Sequence, residues 1–354
     1  MSAPAPLPRG ARVCVVLLTG LGDVVNALPL ANALKDHDPT LHLAWVVEPM
    51  AAPILSPHPS VDEVIVYRKK EGVRGVLRLR REMAARPRFD VALQLHPFFK
   101  GVWGTLFSRA PRRIGFDRGR SFDQVWLAAT ERLAPRPRAH TLEMFLEFAA
   151  HLGVAVPRVE WRIPFTAEER REQAAFYAGV DRPLAVVVPA SANPKKDWLP
   201  ERWARVVDAL EGDLGYRVAL LGGTGERETR IAREIVAEAD AAPLVAMGGP
   251  LRRAAWILEG AALVVAPDTG PLHLARALGT PVVGLYGHTN PWRVGPYRAG
   301  EELWVDRYTE PGAAPDPSDR TPKLGRMERI TVDDVLERVR RASAAQPPSG
   351  HAAP

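Results

Sequence analysis

Residues 263–297 read LVVAPDTGPLHLARALGTPVVGLYGHTNPWRVGPY. An apolar run at 263–266 meets the loop Asp268-Thr269-Gly270-Pro271. A segment with helical spacing follows at 272–278, and Gly279-Thr280-Pro281 turns into a second apolar run at 282–286. The spacing predicts one strand, helix, strand unit of a parallel sheet. In such a unit the loop before the helix presents unpaired backbone N–H groups and a positive helix end, which suits a phosphate. Pro271 suits the first helical position, with Thr269 or Gly270 as the cap.

Outward from this unit the same alternation continues. Upstream, strands are predicted at 184–188 and 217–221 and helices at 201–210, 226–239 and 251–258. The first half opens with a strand at 13–18, a glycine loop at 19–23 and a helix at 24–34. Strand-like runs follow at 41–47, 64–67 and 91–95, and a helix at 142–152 ends at Gly153. The segment 157–166 carries Pro157 and Pro164 without helical period and reads as the linker between domains. A Pro- and Gly-rich stretch at 309–326 predicts an irregular loop. Thr331, followed by Asp333 and Asp334, predicts a helix start. No solenoid-length repeat is present. The pattern predicts an α/β protein of two similar domains: a disordered lead at 1–10, domains at 11–160 and 161–330, a C-terminal helix at 331–341 and a disordered tail at 342–354.

The length of 354 residues with 46% hydrophobic content suits two such cores. Every apolar run is too short to span a bilayer, and MSAPAPLPRG at the start has no secretory apolar segment, so the chain is expected to be cytoplasmic. The single cysteine, Cys14, lies inside an apolar run, which predicts a buried strand position and excludes an internal disulfide or a cysteine-built metal site. The net charge of +6 is unevenly placed. Nine Lys and Arg lie between residues 68 and 88 against Glu71 and Glu82, and Arg109, Arg112, Arg113, Arg118 and Arg120 follow. Either these form a solvated helix face or they make a basic surface for an anionic acceptor or a membrane. Nucleic acid is not expected, because no helix-turn-helix, zinc or RNP-like pattern accompanies the charge.

Four loops follow predicted strands and carry chemistry-bearing residues. In Thr19-Gly20-Leu21-Gly22-Asp23 the glycines permit a tight turn. Asp23 is then either a helix cap or a carboxylate placed as a general base. In the loop 189–198, Ser191 and the pair Lys195-Lys196 suit a phosphate oxygen and its charge, or a solvent-exposed lysine pair. Gly222-Gly223-Thr224-Gly225-Glu226 opens a helix without the G-x-G-x-x-G order. Glu226 there either receives ribose hydroxyls or simply favours the helix dipole. In the opening loop Asp268 would repel a diphosphate, so it holds the loop or meets a sugar hydroxyl, while Thr269 and Gly270 supply N–H groups. His273 is open between a structural role and a ligand contact. No metal-ligand spacing lies near these loops, so no metal is expected.

Taken together, these loops make the chain resemble glycosyltransferase family 9, whose best known members are the ADP-heptose lipopolysaccharide heptosyltransferases. DTGPLHLARALGTPVVGLYG (268–287) is close to the family's DTGPMHLAAALGTPVVALFGPT, and LTGLGDVVNALPLANALK (18–35) matches its opening strand and GD-x-V loop. PKKDWLPERWARVV (194–207), RRIGF (112–116) and RMERITVDDVLERV (326–339) also fall in register. The resemblance runs from residue 13 to about residue 339. Where the family often has aspartate and glutamine, this chain has Gln94 and His96. The family's G-P-T turn is Gly287-His288-Thr289 here, and the cysteines that many members carry near 309–327 are lacking.

The resemblance implies a GT-B fold of two Rossmann-like domains facing across a cleft, with the acceptor held by the first and a nucleotide sugar by the second. It implies a metal-independent, inverting transfer with Asp23 in the position of catalytic base. Ser191, Lys196, Glu226, Asp268, Thr269, Gly270 and His273 fall on donor-site positions, with Lys196 and the helix end at Gly270 stabilising the departing diphosphate. It implies no cofactor. ADP-heptose is the expected donor and an anionic, lipopolysaccharide-core-like glycolipid the expected acceptor, with peripheral contact at the cytoplasmic face of the inner membrane. A different nucleotide sugar, or a nucleotide-sugar epimerase of similar architecture, are the alternatives.

Overall fold

The computed structural model describes residues 5–344, and the chain divides between Pro164 and Phe165 into two compact units. In the first unit the strands are β1 Arg12–Val16, β2 His42–Val47, β3 Glu63–Val66, β4 Val91–Gln94, β5 Arg112–Gly115 and β6 Glu131–Arg132. They pair in parallel in the order β3-β2-β1-β4-β5-β6. In the second they are β7 Leu184–Val187, β8 Arg217–Leu220, β9 Leu244–Val245, β10 Leu263–Pro267, β11 Val282–Tyr286 and β12 Trp304–Asp306. Their order is β12-β11-β10-β7-β8-β9, again parallel throughout. Each sheet grows both ways from its first strand and reverses between its first and fourth. That is the doubly wound order of a nucleotide-binding sheet.

The central strands are apolar because helices cover both faces of a parallel sheet. β4, β7, β10 and β11 are buried along their whole length, with Val265 registered between Val187 and Val283. Cys14 sits in β1 with no exposure, and burial pushes its thiol well above the usual range, so it is a packing residue.

The first helix, Leu21–His37, is longer than the predicted 24–34. Twelve of its residues are buried, and it packs on helix Thr141–His151. Asn32, inside it, donates to the Glu160 carbonyl at 2.6 Å and accepts from Ser60 Oγ at 2.7 Å, tying the segment before the domain break to the first core.

Two terminal expectations change. Residues 5–10 are tied down rather than disordered: Leu7 is buried, its N–H donates to the Leu152 carbonyl at 3.3 Å, and Gly10 N–H donates to Asp38 at 2.7 Å. The last helix, Val332–Ala344, runs past the predicted end at 341. It buries Val335, Leu336, Val339 and Ala342 in the core of the second unit rather than standing apart. Thr331 and Asp334 cap it reciprocally, at 2.9 and 3.1 Å. The remainder of the expected lead (1–4) and tail (345–354) lies outside the described residues.

Candidate functional site

In an open α/β sheet a ligand site forms at the carboxyl ends of the strands where the order reverses. In the second unit that point is between β7 and β10, and the loops leaving these strands touch. Lys196 Nζ lies 2.6 Å from Asp268 Oδ2, joining residues far apart in sequence. Thr289 Oγ1 donates to the same oxygen at 2.8 Å, and His273 Nε2 lies 3.3 Å from Oδ1. Burial would push the Asp268 carboxyl up, but the Lys196 ammonium and the His273 hydrogen bond outweigh it and hold it well below the usual carboxylate range. Asp268 is therefore an anchored anion that fixes the loop and aims the lysine.

Thr269 is the cap of helix Gly270–Ala277, accepting from Leu272 N–H at 3.4 Å, with Gly270 first in the helix and Pro271 second. The helix start therefore falls one residue earlier than the predicted Pro271. Two buried polar atoms beside Asp268, His273 Nδ1 and the Tyr286 hydroxyl, have no partner among the described residues. Tyr286 is held neutral by burial and then by the Asp268 charge.

Ser191 is buried, and its hydroxyl donates to the Asn193 carbonyl at 2.8 Å while accepting from Asn193 N–H at 3.1 Å. Its own N–H donates to Asp197 at 2.9 Å. Arg227 pairs with Asp197 and donates to the Ser191 carbonyl, so the start of helix Glu226–Glu238 is joined to this loop. The two lysines part company: Lys195 is exposed, whereas Lys196 turns in to Asp268. Glu226 itself is exposed in the first helical turn. The glycines before it stand close to the ends of two flexible side chains. A Cβ on Gly223 would sit 2.4 Å from Glu228 Oε2, and one on Gly222 would sit 2.7 Å from Met247 Cε. Tyr286 and Arg227 carry no signal in the sequence, and Asp197 and Thr289, though they lie in the loop 189–198 and in the turn 287–289, gain their roles only from the fold, which sets them against Arg227 and Asp268.

In the first unit the reversal lies between β1 and β4. Asp23, half-buried, is the third residue of helix Leu21–His37, whose cap position is taken by Gly20. The cap reading of Asp23 is thereby corrected, since a cap residue precedes the first helical turn. Its carboxylate still lies at the positive end of the helix.

Beside it, Leu95 and His96 N–H both donate to the Val16 carbonyl at 3.1 and 3.2 Å, continuing the strand pairing. His96 is 1% exposed and neither ring nitrogen has a partner among the described residues; the same holds for Thr19 Oγ1 and Gln94 Oε1. Burial, then the nearby Lys100 and Lys69 charges, push His96 down to about 3. Those two lysines share Glu48, at 3.2 and 2.7 Å. A Cβ on Gly101 would come within 2.9 Å of His96 Cβ, so the ring is accommodated by that glycine.

The second arginine cluster is not a free basic surface. Arg112 pairs with Glu131 at 2.7 Å, buried Arg120 joins Asp117 and Glu147 at 2.5 and 2.7 Å, and Arg113 donates to the Ala128 carbonyl at 2.8 Å. Arg118 stacks over Trp126 at 4.1 Å. The first cluster differs: Arg74, Arg80 and Arg81 are exposed and make no ion pair among the described residues.

The profile of glycosyltransferase family 9 (heptosyltransferase) matches residues 76–312. The chain is 29% identical over 286 residues to the lipopolysaccharide core heptosyltransferase OpsX of Haemophilus influenzae, covering 80% of this chain and 81% of that one. A crystal structure of a glycosyl transferase family 9 protein from Veillonella parvula superposes with a TM-score of 0.79 at 25% identity, covering 97% of this chain and 100% of that one. E. coli heptosyltransferase WaaC with ADP-2-deoxy-2-fluoro heptose gives 0.69 at 23% identity, covering 93% and 99%, a likeness of fold.

Proposed function

The chain belongs to glycosyltransferase family 9, with the family's two-unit GT-B fold, and on that premise we propose that it moves heptose from ADP-heptose onto a lipopolysaccharide core. In the proposed step an acceptor hydroxyl attacks the anomeric carbon on the face opposite the diphosphate. The new C–O bond forms as the bond to the phosphate oxygen breaks, and its electron pair leaves with ADP. Asp23 takes the hydroxyl proton, and configuration inverts.

The observation that carries this reading is the Lys196–Asp268 pair at 2.6 Å, beside the Thr269-capped start of helix Gly270–Ala277. A departing diphosphate gains negative charge, and a fixed ammonium with oriented helix N–H groups stabilises it without reorganisation and without a divalent ion. In this proposal Asp268 does not touch phosphate; it aims Lys196 and holds the loop. Ser191, Glu226 and His273 complete the donor site.

The donor identity is supported by WaaC, solved with an ADP-heptose analogue, and the acceptor by OpsX, a lipopolysaccharide core enzyme. Location at the cytoplasmic face of the inner membrane belongs to the same proposal. It is supported by the free arginines of helix Val73–Ala84.

The test is product analysis with ADP-heptose labelled in the sugar and a glycolipid from a heptose-deficient strain. Label should reach the glycolipid, with inverted configuration, in the presence of chelator. Sugar isomerised on the nucleotide with no glycolipid product would replace the transferase by an epimerase, and loss of activity in chelator would end metal independence. Asp23→Asn should reduce turnover by about a hundredfold or more, the scale of a lost general base, with ADP affinity unchanged within a few fold. Undiminished turnover removes Asp23 as base.

A further inference from the structure

Among the described residues, nine large apolar side chains are exposed, and five of them (Val73, Leu77, Phe99, Leu106 and Leu127) come from residues 73–127. Their elements adjoin. Helix Val73–Ala84 packs on helix Gly101–Phe107, with Leu79, Met83 and Val76 in one core cluster with Trp103 and Phe107. Helix Gly101–Phe107 in turn contacts the turn Val125–Ala128 that carries Leu127.

The sequence VRGVLRLRREMA explains what the outer face offers. At roughly 100° per residue, the buried stripe Gly75, Leu79 and Met83 leaves Val73, Leu77 and Ala84 together on the side facing away. Arg80 flanks that stripe on one side; Arg74, Arg78 and Arg81 flank it on the other. Val73 is 76% and Leu77 45% exposed. An apolar stripe bordered on both sides by cations is the pattern of a helix that lies in the plane of a bilayer surface, apolar side down and charges among anionic headgroups.

Within the helix four arginines stand against one glutamate, and among the described residues Arg78 alone of the four is paired, with Glu71 at 3.2 Å, a charge balance that suits anionic headgroups. Among the described residues no helix is long and apolar enough to cross a membrane.

We propose that the outer face of helix Val73–Ala84, extended by Phe99 and Leu106, docks the protein flat on an anionic phospholipid bilayer. The inference deepens the proposed function, from which it takes only the lipid-linked nature of the acceptor, by naming the surface that meets the lipid.

Pelleting of the full chain with sucrose-loaded vesicles tests it. Vesicles of phosphatidylcholine with phosphatidylglycerol should carry the protein down, and phosphatidylcholine alone should not. Binding should fall with added salt, and about fivefold for each arginine removed in Arg74→Gln and Arg81→Gln. Leu77→Glu should weaken it further, while Arg230→Gln, on the second unit, should not. Equal pelleting on both vesicle types, no pelleting, or a dimer in light scattering that Leu77→Glu dissolves would each overturn the proposal, the last by giving the face to a second copy. Transfer to a delipidated, soluble acceptor should persist in Leu77→Glu. Its loss in the wild type as well would strike the transferase reading and not the docking surface.

Discussion

At the scale of single residues, two buried titratable groups set opposite problems that folding solves differently. Asp268 stays charged because Lys196, His273 and Thr289 surround it. His96 stays neutral because burial disfavours its charged form and the nearby Lys100 and Lys69 charges add to that. The Asp268 carboxyl lies below its ordinary value of 3.8, so its contribution is complete above that value and is lost as pH falls through and below it. Lys196→Met should leave a buried carboxylate without its cation and cost about 3 kcal/mol at neutral pH. The gap between wild type and variant in urea unfolding should narrow as pH is lowered from 3.8 downwards. A gap of constant size across that range would mean that the pair is not electrostatic in effect. His96 runs from an ordinary 6.5 to about 3 in the folded chain. Below 6.5 the unfolded chain takes a proton that the folded ring refuses, so stability should fall by up to about 1.4 kcal/mol per pH unit. His96→Gln should remove this dependence between pH 6.5 and 3, and an unchanged slope would show that another group causes the acid loss.

At the scale of elements, close approach decides where a glycine is needed. Gly75 interrupts helix Val73–Ala84 at a point where a Cβ would lie 2.4 Å from the Arg68 carbonyl oxygen. Alanine gains about 1 kcal/mol in helix propensity, but the obstacle is backbone and cannot rotate away, and overpacking costs about 1–3 kcal/mol. Gly75→Ala should therefore lower the urea midpoint by a modest net amount; a stabilised variant would show that the preceding turn yields freely. The same contrast between local and long-range causes explains what the sequence revealed. β11 falls on its predicted residues, 282–286, and the central strands within one or two, because burial on both faces makes them continuous apolar runs. β5, β6, β9 and β12 were not foreseen. β5 opens with Arg112 and Arg113, whose guanidiniums are engaged by Glu131 and by carbonyls, so its sequence looks polar. β6 and β9 are two residues long and β12 three, too short for a period to show. The loops of the candidate site were each legible from their Gly, Pro, Ser and Asp content. Composition does not show which side chains pair where the loops meet: the resemblance puts Lys196 and Asp268 in one site, and the adjacency of β7 and β10 joins them. The second arginine cluster was misleading for a related reason: charge in a sequence does not show whether a carboxylate or carbonyl waits in the fold, as Asp117 and Glu147 do for Arg120.

At the scale of the whole molecule, each unit has its own doubly wound sheet and its own core, and the same strand order places a candidate site at the reversal of each. The two reversals are chemically unlike. That of the second unit holds an ammonium, a capped helix start and a firmly charged carboxylate. That of the first holds a neutral imidazole, the hydroxyl of Thr19, the amide of Gln94 and the carboxylate of Asp23. A diphosphate should therefore select the second, where an ammonium stands beside a capped helix start, and a hydroxyl-rich group the first, where the Lys69 and Lys100 charges are shared with Glu48. Ligand that binds only the native state stabilises it by about 2.7 kcal/mol at a hundredfold excess over Kd, so the choice can be read by heat and located by hydrogen exchange. ADP should raise Tm more than UDP, GDP or dTDP. Its protection should fall on residues 189–197 and 268–273 while β1 and helix Leu21–His37 exchange as before. Protection that fell instead on residues 13–47 would move the nucleotide to the first unit, and Lys196 would then have no part in holding the leaving group.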